Sequence, residues 1–206
     1  MMSRLVPAER KPRRKIILLV PGESEYQVIP YFLKQFGVHV ARPQKTEDIS
    51  FPPEKGDFVL APKVIRQIQA ACRAKDAKVI LLFDGEKAPL CPGDYAKRVR
   101  KRITEQTGAL SSENFEVICM DHCIENWILA DPNVFTCKLF KKNLSSRIGN
   151  RSDCKPAIDI IAEGFGLKHY DKTRHLPNLA KYVNANSVDV RRRSPSLDKF
   201  LRELGV

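Results

Sequence analysis

The 206-residue chain carries 36 Lys and Arg against 24 Asp and Glu, a formal charge of +12, and 43% of its residues are hydrophobic. That composition supports one sizeable core and excludes a disordered chain or an acidic solvating tail. No apolar run approaches the ~20 residues that span a bilayer, and the early run Ile16–Val20 is also short for a signal-peptide core, so a soluble cytoplasmic protein is expected.

Residues 1–14 hold Arg4, Arg10, Lys11, Arg13 and Arg14 with Pro7 and Pro12 between them, and read as a basic flexible arm. Lys15–Val20 is a continuous apolar run closed by Pro21-Gly22, the pattern of a strand buried on both faces. From Ser24 to Phe36, Val28, Ile29, Phe32, Leu33 and Phe36 recur at helical spacing before Gly37. The stretch 42–56 is rich in proline and reads as a loop, and 60–74 as a second helix. Lys78–Phe83 is another buried strand, closed by Asp84-Gly85-Glu86. A helix with a basic outer surface follows over 93–107, then a strand over Phe115–Cys119 and a short apolar helix over 124–130. This alternation predicts an α/β fold, a mostly parallel sheet flanked by helices in a Rossmann-like core over 15–131. A helical, basic carboxyl-terminal extension, 132–206, is expected to pack on that core as one compact unit.

In an open parallel sheet, reactive groups gather beyond the carboxyl ends of the strands. Glu23 and Glu25 follow the first strand, Asp84 and Glu86 the second, and Glu125 the third. Residues i and i+2 leaving a strand point the same way, so Asp84 and Glu86 can reach one cation, with Gly85 allowing a sharp turn. Hard carboxylate oxygens suit magnesium, or manganese, and the implied chemistry is phosphodiester cleavage or transfer. Acidic residues at strand ends also cap helices or form surface ion pairs, but three such clusters favour a cation. The six cysteines lack a C-x-x-C pair, and Cys119, His122 and Cys123 have no second ligand pair at zinc spacing, so reduced core thiols are expected.

Positive charge concentrates in the arm, in Lys97–Arg102, in Lys138–Arg151 and in Arg191-Arg192-Arg193, with Lys172 near Tyr170. Such clusters attract a polyphosphate backbone through counterion release, or they are solvated helix faces. The expected nucleic-acid contacts are Arg98, Lys101, Arg102, Lys141, Lys142, Lys172, Arg191, Arg192 and Arg193. Lys172 and Tyr170 could bring a cation toward the acidic crevice. Ser194-Pro195-Ser196 reads as the cap of a final helix whose stripe is Leu197, Phe200, Leu201 and Leu204.

Gly22-Glu-Ser-Glu25, Phe83-Asp84-Gly-Glu86 with Cys91-Pro92, Ile124-Glu125-Asn-Trp127 through Asp131, and Arg193-Ser-Pro-Ser-Leu197 through Leu201 together resemble a small bacterial family of TOPRIM-like proteins of undefined function. TOPRIM domains also occur in topoisomerases, primases and the OLD-type nucleases of phage defence. The resemblance implies a TOPRIM fold and a magnesium-dependent nuclease or related phosphoryl-transfer protein acting on DNA or RNA. Its metal ligands would be Asp84, Glu86 and Glu25 or Glu23, with Glu125 completing the site, and its partners nucleic acid and a regulating ATPase, without a membrane; the chain leaves room for a homodimer. The family's first acid falls on Pro21, which offers neither ligand nor base. Either Glu23 takes the vacated place, or the chain is a catalytically inactive nucleic-acid-binding or ATPase-partner subunit.

Overall fold

The computed structural model describes residues 15–36, 43–47, 49, 60–74, 76–85, 91–107, 114–153, 155–167 and 170–206. The basic arm, Glu86, Lys168 and His169 lie outside the described residues. Strands β1 (Lys15–Val20), β2 (Gln44–Lys45), β3 (Ala77–Asp84) and β4 (Phe115–Met120) form one sheet in the order β2-β1-β3-β4, with every pair parallel. Register runs Ile17 to Val79 and Leu19 to Leu81 between β1 and β3, and Leu81 to Val117 between β3 and β4. The 42–56 stretch expected as loop therefore donates a two-residue edge strand, too short for a period-2 signal to form.

The apolar runs are continuous because both sheet faces are covered. Ile16, Leu18, Val20, Ile80, Leu82, Ile118 and Met120 share one cluster with helices α1 (Glu23–Gln35), α4 (Ile124–Leu129), α5 (Ala157–Phe165), α6 (Lys172–Leu179), α7 (Val188–Arg193) and α8 (Pro195–Glu203). Ile17, Leu19, Val79, Leu81, Phe83, Val117 and Cys119 face α2 (Pro62–Cys72) and α3 (Pro92–Thr107). Each fully buried Leu, Ile or Val here contributes roughly 1.5–3 kcal/mol against the entropy of ordering. Pro30 sits within α1 on its exposed side, so the helix loses one hydrogen bond without burying the deficit.

Strand β4 is the other edge, and charge protects it. Glu116 receives Arg100 of α3 at 3.2 Å and Lys199 of α8 at 3.0 Å, while Lys199 also donates to the Val117 carbonyl at 3.3 Å. A lysine laid along an exposed edge discourages pairing with another chain.

The strand order places a topological switch between β1 and β3. The chain leaves β1 toward β2, then crosses back to β3 on the opposite side, so the connections after β1 and β3 diverge and open a crevice at their carboxyl ends. Glu25 follows β1 and Asp84 ends β3, on the two lips of that crevice.

Candidate active site

Gly22 is the N-cap of α1 and has no side chain to cap it. Glu25, three residues on, folds back into the space this leaves: a Cβ on Gly22 would stand 1.7 Å from Glu25 Oε2. The carboxylate is thereby held against the helix start, where it meets the positive end of the helix dipole, and Glu25 is only 3% exposed. Burial, and after it the charge of Glu125, holds its carboxyl above the usual range, against its own backbone N–H, a hydrogen bond with Asp84 and the charge of Lys172. Two carboxyl groups in hydrogen-bond contact require a proton or a cation between them.

Asp84 is held in place by its successor. The Gly85 N–H donates to the His122 carbonyl at 3.0 Å, pulling the end of β3 onto the loop after β4. A Cβ there would stand 2.2 Å from the Met120 carbonyl oxygen, so only glycine allows the approach.

Glu125 is the second residue of α4 and fully buried, at 0% exposure. Neither of its carboxylate oxygens has a hydrogen-bond partner among the described residues. The Cys123 thiol lies beside it and 3.2 Å from Asn126 Oδ1, so one weak S–H donor is shared by two acceptors. Lys172 Nζ stands 3.5 Å from Glu125 Oε1 as an ion pair, with the lysine side chain 33% exposed. The Tyr170 hydroxyl is also buried without a partner, and burial, followed by the charge of Glu125, pushes the phenol up and keeps its proton on.

Glu25, Asp84 and Glu125 thus converge from three separate elements, joined by Lys172 and Tyr170 from the start of α6. Glu23 lies in the first turn of α1, paired with Lys45 of β2 and accepting from Gln27 at 2.8 Å. Glu86 lies outside the described residues. Among the described residues no three His, Cys, Asp or Glu side chains are grouped closely enough to hold a metal ion by themselves. The donor set nonetheless fits a hard divalent cation: all three groups offer oxygen, and Glu125 presents two buried oxygens with nothing to bond them. Burial pushes the Cys119 thiol up to about 12, with Asp121 and Asp84 adding to it, and raises that of Cys123 as well.

The basic residues divide between the faces. Arg98, Lys101 and Arg102 belong to α3, on the α2 side of the sheet, and Arg100 between them reaches Glu116 near the amino end of β4, away from the crevice. Lys141 and Lys142 are exposed beside the end of α5, on the other face, where their backbone N–H groups meet the Gly164 carbonyl and Lys142 pairs with Glu163 at 3.9 Å. Arg191 turns inward to Asp198 at 2.6 Å and to the Val206 carbonyl, Arg192 pairs with Asp189 on the surface, and the Nε of Arg193 is buried. Of the expected contacts, Lys172 stands at the acidic cluster.

Sequence reading missed a second network. Trp127 Nε1 donates to Ser196 Oγ at 2.9 Å, Ser194 Oγ donates to Asp153 Oδ1 at 2.7 Å while capping Leu197 N, and Asn126 Nδ2 bonds the carbonyls of Ser152 and Lys155 at 2.6 and 3.0 Å. The Glu-x-Trp and Ser-Pro-Ser elements are thus two ends of one buried hydrogen-bonded tie. No signal in the linear sequence pairs them, 69 residues apart.

No curated protein and no solved structure matches the chain. A family model described as a domain of unknown function, DUF4276, matches residues 21–205, which takes in Gly22, Glu25, Asp84, Glu125 and the Ser-Pro-Ser cap together. Because that match spans nearly the whole chain, the protein belongs to the DUF4276 family.

Proposed function

We propose that the acidic cluster binds magnesium or manganese and that the protein cleaves or transfers phosphodiester bonds of DNA or RNA. The observation that carries this reading is Glu125: a fully buried carboxylate without a hydrogen bond, facing two further carboxyl groups at the sheet's switch point. A buried carboxylate held by the charge of Lys172 alone, with no directed hydrogen bond, is costly to a fold, and such groups concentrate at functional sites. The order of acids after the strands resembles TOPRIM nucleases and supports the same chemistry, including a role in antiviral defence beside an ATPase partner. The net charge of +12 supports a polyanionic substrate.

A bound divalent cation would supply charge neutralisation on the phosphoryl group and an activated water. Asp84, Glu125 and Glu25 would hold it, with Glu86, two residues after Asp84 in the sequence, as a further candidate ligand. Glu25, in contact with Asp84, would complete the cation's ligands or orient the attacking water. Lys172, part exposed at the mouth, meets an incoming phosphate first.

A second reading, a nucleic-acid-binding or ATPase-partner subunit without turnover, is favoured by Pro21 together with the engagement of Glu23 by Lys45. One experiment separates the two: plasmid, single-stranded DNA and transfer RNA are incubated with the protein in manganese and in chelator. Metal-dependent cleavage, lost at least ~10³-fold in Asp84→Ala with an unchanged melting profile, supports the enzyme. Salt-sensitive binding that persists in chelator without any cleavage supports the silent module.

A further inference from the structure

Lys172 is the only ammonium seen within ion-pair distance of Glu125 among the described residues, and it joins an anchored backbone to a partly exposed side chain. The backbone is fixed. Asp171 caps α6, its Oδ1 accepting from Arg174 N–H at 3.2 Å and from Thr173 Oγ at 2.8 Å, and His175 Nδ1 closes on the Asp171 carbonyl at 2.8 Å. Tyr170 stacks against His175, at 5.7 Å, and against Phe165, at 6.5 Å, in a cluster of three rings. From that anchored turn the lysine sends a long flexible stem to the carboxylates, with a third of the side chain open to water. At 3.5 Å its hold on Glu125 is charge without a directed hydrogen bond. One ammonium against three carboxyl groups also leaves negative charge uncompensated.

We propose that Lys172 is an exchangeable counter-cation: its ammonium neutralises the carboxyl cluster while no divalent cation is bound and swings out to solvent when one binds, so that this residue sets the affinity of the site for metal. The inference rests on the reading of the cluster as a divalent-cation site. It assigns Lys172 a positioning role toward Glu125 and the cation, separate from any contact with substrate. Because like charges so close repel through a poorly screened interior, ammonium and dication compete for the same oxygens.

Calorimetric titration of manganese into the wild type, Lys172→Met and Lys172→Arg tests it, together with melting in chelator. Lys172→Met is expected to bind manganese roughly tenfold tighter, to melt lower than wild type in chelator, and to regain the difference once manganese is added, while Lys172→Arg keeps the wild-type affinity. A damaged fold would not bind metal more tightly. On the wild type itself, acylation of Lys172 by an amine-reactive reagent, read by mass spectrometry, should accelerate when manganese saturates the protein. Equal or weaker manganese affinity in Lys172→Met, or acylation that manganese leaves unchanged or slows, overturns the exchange and leaves the metal site standing. A wild type that binds no manganese overturns both.

Discussion

Helix α4 presents three consecutive buried polar side chains with opposite fates. Asn126 and Trp127 are fully partnered: one bonds two carbonyls of the 152–155 loop, the other bonds Ser196 and packs between Phe32, edge-on at 6.0 Å, and Phe200, at 5.2 Å. Glu125, one residue earlier and just as buried, is bonded to nothing but an ion-paired lysine. The helix turns by about 100° per residue, so neighbours in sequence point to different worlds. Where every polar atom is satisfied the network holds the carboxyl-terminal helices to the sheet. Where a buried charge has no hydrogen bond the fold gives up stability, which is the mark expected of a site.

The contrast breaks most visibly by substitution at the two adjacent positions. Trp127→Ala removes the largest buried side chain and the shorter of the hydrogen bonds to Ser196 Oγ, and should cost ~3–5 kcal/mol in denaturant unfolding, a large part of the whole stability of many domains of this size. Glu125→Gln removes a charge the fold does not need, and should leave metal-free stability within about 1 kcal/mol of wild type while abolishing manganese-dependent cleavage. Comparable destabilisation by both would erase the distinction between tie and site.

Much of this arrangement was legible because it follows from strand ends. Three apolar runs closed by acidic residues place Glu25, Asp84 and Glu125 at one edge of a parallel sheet whatever the details of packing. Choosing between Glu23 and Glu25 was not legible, because it depends on where α1 begins and on the empty space over Gly22. The basic clusters depend on local geometry in the same way. Arg191, Arg192 and Arg193 are contiguous in sequence, yet on a helix they part, one to Asp198, one to solvent beside Asp189 and one inward. Adjacency in the chain makes a charge run, and only the helical turn decides whether it makes a surface.

A smaller change sharpens the same comparison on the site side. Gly22 has φ −82° and ψ 149°, which alanine adopts without strain, and the atom its new Cβ would strike is the mobile end of Glu25. Gly22→Ala should therefore shift stability by less than about 1 kcal/mol, the chain-entropy gain offsetting the lost carboxylate contact. It should nevertheless displace Glu25 and weaken manganese binding and cleavage roughly tenfold or more. Full activity in Gly22→Ala would mean that the folded-back position of Glu25 is incidental.

The subtlest effect lies in the structural tie. Burial raises the Asp153 carboxyl to about 7, and the facing Asp121 carboxyl reinforces it against the hydrogen bond from Ser194. An acid whose folded value stands above its unfolded one takes up its proton in the native state first, so it adds stability as pH falls from about 7 toward the ordinary carboxyl range near 4, and nothing further below that. Asp153→Asn imitates the protonated form: its Oδ1 still accepts from Ser194, and its amide N–H can donate to Asp121. Wild type should lose roughly 1–2 kcal/mol relative to Asp153→Asn between pH 5 and pH 8, read as the difference of two urea-unfolding series, because other titrating groups cancel in that difference. Parallel curves for the two proteins would mean that Asp121 and Asp153 share no proton, and that the tie holds as firmly with both charged as with one.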